Sequence, residues 1–154
     1  MTVHIERIKR LFPKDVCKNM LEIPSGYGQC AYNSAKAVID NPEYNITYCE
    51  GWLSGHIGHA FNKFVDKKGI EHYFDLSQEY IKYKNNTKGG LKDVEFEKEL
   101  PIEYVARTFY DDKVAHLITV PTTRGNKTYA QLKEIGFEEL FFDWLLNPKS
   151  HILK

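Results

Sequence analysis

The stretch GHAFNKFVDKKGIEHYFDLS, residues 58–77, constrains the fold more than any other part of the chain, because two strand-like runs flank a four-residue turn signal. Residues 59–65 and 70–76 are rich in aromatic and β-branched side chains, which suit a pleated surface. A loop of Lys67, Lys68 and Gly69, with Gly69 in the left-handed position of a bulge turn, sets Asp66 opposite Ile70 and Phe61 opposite Asp75. In that register His59 and Asp75 share one face of the sheet as diagonal neighbours, a separation that a hydrogen bond can close. A two-residue loop would throw Asp75 onto the other face, and the glycine at 69 favours the three-residue loop.

Upstream, GYGQCAYNSAKAVID (residues 26–40) places Cys30 directly after a glycine-containing loop. Cys30 to Asp40 has no helix breaker, and Ala31, Ala35 and Ala37 suit a closely packed helix that Asn41 and Pro42 would end. A third strand-like run, NITYCEGWL at 45–53, precedes the hairpin, so a helix is followed by an antiparallel meander. IEYVARTFY and VAHLITV predict two further strands around DDK. The spacing of Val3, Ile5, Ile8, Leu11 and Phe12 predicts a helix over 3–12 that Pro13 stops, with a second short helix over 14–21. Residues 77–99 are polar and read as a surface excursion. The tail carries two helical pieces with an apolar stripe of Phe137, Leu140, Phe141, Trp144 and Leu145, suited to core or interface. The expected class is α+β, with a Cys-bearing helix packed on an antiparallel sheet. The expected domain is single over 1–154: a core at 25–120, an N-terminal helical segment at 1–22 and C-terminal helices at 128–147.

Composition narrows the function classes. A chain of 154 residues with 42% hydrophobic and 27% charged residues suits one globular domain. Lys plus Arg and Asp plus Glu both number 21, so no overall field attracts nucleic acid, which is not an expected partner. No apolar run reaches the roughly 20 residues of a membrane span, and the charged N-terminus lacks an apolar signal core, so no membrane association and a cytoplasmic location are expected. Three cysteines without a CxxC element argue against a disulfide framework, and each thiol must be judged by its surroundings.

Cys30 heads a helix, where unpaired N–H groups and the helix dipole favour a thiolate. An Asp-held imidazole can take a thiol proton and later protonate a leaving group, so Cys30, His59 and Asp75 make a complete acyl-transfer set. The plain alternative is a core histidine bonded to a strand-end carboxylate. Asn33, one turn beyond Cys30, sits beside this site or serves helix packing. Trp52 and Glu50 alternate to the opposite side from Cys49, with Trp52 either core or lining a substrate cleft. Cys49 reads as a small buried residue. His72 alternates away from Asp75, and His116 falls in a late strand pattern as a structural residue. His56 and His59 form an H-x-x-H pair, but in a glycine-flanked loop that spacing fixes no metal geometry, and neither metal nor cofactor is expected.

The segments QCAYNS, YCEGW, HAFN and FDLS, in that order across residues 25–77, resemble the core of the papain-like cysteine-enzyme superfamily. The order Cys, His, Asp is shared by its transglutaminase-like, arylamine acetyltransferase-like and NlpC/P60-like branches, and the nearest likeness is to small bacterial and phage proteins. The resemblance implies a papain-like core with Cys30 as nucleophile, His59 as general base and acid, and Asp75 as the orienting residue. It also implies an oxyanion donor at the Cys30 N–H and a second from the preceding loop. Papain-type proteases carry their oxyanion glutamine further upstream, so Gln29 and Tyr27 both stand as candidates for that second donor.

Two function classes follow. One is a cysteine-dependent acyl-transfer enzyme acting on a protein or peptide: an amide or isopeptide hydrolase, a deamidase or a transglutaminase-like transferase. The other is a noncatalytic binding or inhibitor module on the same fold that presents its aromatic tail to a partner. Oligomeric state is not legible.

Overall fold

The computed structural model describes residues 1–22, 30–53, 57–79, 103–122 and 125–135. In chain order its elements are β1 (Thr2–Val3), a 3-10 turn (Ile8–Arg10), α1 (Lys14–Glu22), α2 (Cys30–Asp40), β2 (Asn45–Leu53), β3 (Ile57–Val65), β4 (Glu71–Phe74), β5 (Tyr104–Tyr110), α3 (Asp112–Ala115), β6 (Thr119–Thr122), β7 (Gly125–Thr128) and α4 (Tyr129–Ile135). Five strands form one sheet in the order β1-β5-β2-β3-β4, and β6 pairs with β7 separately. The pairings between these strands are antiparallel, with one isolated parallel bridge between Ile5 and Tyr73, and the mixture of helices with an antiparallel sheet is the α+β class.

The β3–β4 hairpin has the register predicted from its turn, pairing Val65 with Glu71 and Asn62 with Phe74. Gly69 stands at φ +82°, a conformation open to glycine at little cost. Gly69 N–H donates to Asp66 O at 2.9 Å, and Asp66 N–H donates to Ile70 O at 3.0 Å. The Asp66 carboxylate accepts from the N–H groups of Lys68 and Ile70 at 2.8 and 3.0 Å, locking the loop length and with it the register.

Residues 3–12 do not form the predicted helix. Thr2 and Val3 pair with β5, Ile5 bridges Tyr73 of β4, and only Ile8–Arg10 turns helically. Val3 and Ile5 alternate, so both serve a strand-like segment that joins the sheet's two outer strands into a small barrel. The paired edges win because an isolated short helix has little stability of its own. The predicted N-terminal helical segment therefore holds only from Lys14 onward. VAHLITV likewise divides, because Asp111 accepts from the N–H groups of Lys113 and Val114 at 3.0 and 3.3 Å and starts α3. His116 consequently caps the end of a helix rather than lying in a strand. Of the C-terminal helices expected at 128–147, α4 is seen from Tyr129 to Ile135, and the aromatic stripe lies outside the described residues, as does most of the predicted excursion at 77–99.

The two faces of the sheet are both buried. On the outer face Ile46, Tyr48, Ala60, Phe64 and Phe74 pack under α2 (Ala35, Ala37, Val38) and the N-terminal segment (Ile8, Phe12, Met20). On the inner face Cys49, Phe61, Tyr73, Tyr104 and Ala106 fill the barrel with Val3, Ile5 and Leu53. Asn62 stitches α2 to the sheet, its Nδ2 donating to Ser34 O at 2.9 Å. Lys36 donates its ammonium to Met20 O in the last turn of α1, and burial lowers its pKa to about 8. These contacts set the depth and angle at which α2 approaches β3.

His72 fastens the N-terminal segment to the hairpin, with Nδ1 2.6 Å from Glu6 and Nε2 2.9 Å from Asp66. The hydrogen bond to Asp66, opposed by burial and aided by Glu6, raises its pKa above the ordinary imidazole value. The proton is thus held more tightly in the folded state, so this stabilisation is complete below the unfolded pKa of about 6.5 and lost as pH rises through the folded pKa. The stability gap between wild type and His72→Gln, read from thermal unfolding, should shrink as pH rises from about 6.5 through the raised folded-state pKa. A gap independent of pH would assign His72 a packing role against Phe64, on which its ring stacks.

Candidate active site

The barrel opens where β4 stops short of β3. Asp66 aims its N–H across to Ile70, and by the two-residue period of a strand Phe64, Asn62 and Ala60 aim theirs the same way. β4 ends at Phe74, the partner of Asn62, so the Ala60 N–H extends beyond its neighbouring strand. The head of α2 brings the Cys30 thiol to that gap, where the Ala60 N–H and the His59 ring both act on its ionisation. From this position in the plane of the sheet, a helix on the outer face reaches an imidazole that belongs to the inner face.

His59 Nε2 lies 2.7 Å from Asp75 Oδ2. A carboxylate can only accept, so Nε2 carries a proton and Nδ1 is left to face the thiol. The ring stacks on Phe61 at 6.1 Å between centroids and meets Tyr104 edge-on at 6.0 Å. Asp75 is 1% exposed and fully engaged. Its Oδ2 also accepts from the Tyr104 hydroxyl at 2.6 Å, and its Oδ1 accepts from Ser77 N–H at 3.0 Å. That second contact makes Asp75 the cap of a helical turn at 76–79, closed by Glu79 N–H to Asp75 O at 3.1 Å. Glu79 in turn binds the Arg7 guanidinium and accepts from Ile8 N–H at 3.4 Å, anchoring the turn to the N-terminal segment.

The electrostatics separate the three cysteines. Burial opposes ionisation of Cys30, yet the His59 hydrogen bond, the Ala60 N–H and the imidazolium charge together bring its pKa below the usual thiol value. Burial likewise opposes protonation of His59, but hydrogen bonds to Asp75 and Cys30 outweigh it and push the pKa up to about 10. The two shifts describe one event, transfer of the thiol proton to the ring. Cys49 is pushed the other way, to about 12, chiefly by burial. Cys17 is also raised, chiefly by burial, its Sγ lying 3.3 Å from Ile8 O.

The structure thus brings Cys30, His59 and Asp75 together. Asn33 is fully buried, its Nδ2 donating to Ser77 Oγ at 3.0 Å, so it touches the turn that Asp75 caps. Trp52 is half-buried on the outer face, with the Arg107 guanidinium 4.8 Å from its ring centre. Gln29, Tyr27 and His56 lie outside the described residues. Among the described residues no group of three or more His, Cys, Asp or Glu side chains is placed to hold a metal ion, and no helix is long and apolar enough to cross a membrane.

Tyr104 and the Ala60 N–H are the groups that sequence reasoning missed. Nothing near Tyr104 in the chain marks it, since β5 reaches the site only by pairing with β2. The Asp75-x-Ser77 spacing was a legible capping signal. Comparisons with protein-family models, curated proteins and solved structures return no match.

Proposed function

We propose that the chain is a cysteine-dependent acyl-transfer enzyme with a papain-like core, acting on an amide of a protein or peptide through a thioester on Cys30. The observation that carries this reading is the continuous chain from the Cys30 thiol through His59 to Asp75. In acylation the thiolate sulfur bonds the substrate carbonyl carbon, the carbonyl oxygen takes the charge, and the Cys30 N–H at the head of α2 faces that oxyanion. Collapse breaks the carbon–nitrogen bond, and His59 gives the departing amine its proton. Water or an amine then attacks the thioester, His59 accepts the attacking group's proton, and the thiolate leaves. Asp75 keeps the ring in one tautomer and orientation throughout. The noncatalytic alternative rests on the aromatic tail, which lies outside the described residues.

The pH dependence of iodoacetamide alkylation, read for each cysteine by peptide mass spectrometry, tests the reading. Cys30 should show an apparent pKa below the ordinary value of about 8.5, rising by about one unit or more in His59→Ala. Cys49 serves as the fold control, because its buried thiol should stay unmodified until the protein unfolds. Cys30 inert in a folded protein would make it a core residue and overturn the proposal.

A further inference from the structure

On the outer face, Tyr48, Glu50 and Trp52 follow one another along β2, and Tyr48 lies in the core beneath α2. Glu50 is therefore the next outer-face residue toward the end of α2 that bears Cys30. It pairs across the ladder with Ala60, whose N–H meets the Cys30 thiol. Ala60 directs that N–H toward β4, so Glu50 and Ala60 form a non-hydrogen-bonded pair, the closer kind, with Cα atoms about 4.5 Å apart. Burial, then Glu50, then Cys30 push the Tyr48 phenol up, in keeping with that placement.

Glu50 is half-buried and held at both oxygens: Tyr48 donates to Oε2 and Tyr110 to Oε1, each at 2.9 Å. Two hydroxyl donors fix the carboxylate without neutralising it, and each oxygen retains a further lone pair. Among the described residues no lysine or arginine is ion-paired with it, and Arg107 lies over the Trp52 ring instead. Such a carboxylate is not needed by the Cys30–His59–Asp75 chain, whose acceptor is Asp75.

We propose that Glu50 is a specificity residue that receives a cationic group of the substrate, an ammonium or guanidinium, beside the Cys30 sulfur. This rests on the acyl-transfer reading of Cys30. The cation belongs either to the acyl donor or to an acceptor amine, which is bound as its ammonium and gives that proton to water before the neutral amine attacks, and the recognition chemistry at Glu50 is the same.

The test compares modification of Cys30 by cationic, neutral and anionic methanethiosulfonates of similar size. In the wild type at low salt the cationic reagent should react faster than the anionic one, and Glu50→Gln should lower that ratio by about fivefold or more. Cys49 protection reports that the variant is folded. Independently of any substitution, the wild-type preference should collapse at about 1 M salt, where the screening length is about 3 Å. Fast neutral labelling with no charge preference, or with a preference unchanged in Glu50→Gln, overturns this proposal alone. Slow neutral labelling overturns the thiolate reading and this proposal with it. Adding a primary amine to p-nitrophenyl acetate turnover separates the two sources. Saturable acceleration places the cation on the acceptor, and saturable inhibition places it on the donor. No saturable effect, or the same effect in Glu50→Gln, overturns the proposal.

Discussion

Asp75→Asn is expected to slow acylation of Cys30 by a p-nitrophenyl ester on the order of 10³-fold or more, the scale on which an active-site histidine suffers when its carboxylate becomes an amide. The two Asp75 oxygens face three donors: His59 Nε2–H and the Tyr104 hydroxyl at one, Ser77 N–H at the other. Asparagine has a single acceptor oxygen. If that oxygen serves His59, the amide NH₂ confronts Ser77 N–H, and the cap of the 76–79 turn is lost. If it serves Ser77, the NH₂ confronts Nε2, the ring proton moves to Nδ1, and His59 can no longer take the Cys30 proton. Either arrangement leaves a buried donor unmet at a cost of about 1–3 kcal/mol, so thermal unfolding should be measured beside the rate. A variant that folds and acylates like the wild type would remove Asp75 from the mechanism.

Gly51→Ala should be the most destabilising small change in the described sheet. Gly51 pairs with His59 on one side and Ala106 on the other, at the point where the β2–β5 register shifts. A Cβ built at Gly51 would lie 1.8 Å from the Val105 carbonyl oxygen, and that oxygen is backbone, so the strand itself must move. Overpacking of this kind costs about 3 kcal/mol or more, or a fall in melting temperature of about 6–12 °C for a chain of this size. The displacement falls on β5 next to Tyr104, so the Tyr104–Asp75 hydrogen bond should be disturbed and Cys30 alkylation slowed as well. Gly58→Ala is the matched control: it also adjoins His59, but a Cβ there meets nothing within 4 Å. Equal melting temperatures for the two variants would refute the close approach of β5 to Gly51.

The amino-acid order alone determined the local geometry of the site. Asp66 and Gly69 dictate a three-residue loop, the loop dictates the register, and the register puts His59 and Asp75 on one face with a strand's spacing between them. Cys30 at the head of α2 was likewise legible, because the loop before it and the breaker-free run after it are local signals. Where two local signals competed, periodicity misled: the apolar spacing of residues 3–12 gave way to edge pairing, and VAHLITV gave way to the Asp111 cap. Only the tertiary structure decided the rest. Tyr104 reaches Asp75 because β5 pairs with β2 from the other end of the chain, and Glu50 is pinned because Tyr110 arrives on that same strand. The Ala60 N–H meets the thiol because β4 ends one pair too early to claim it. Each of these depends on where a distant strand begins or stops, and that is set by closure of the barrel rather than by any neighbouring residue.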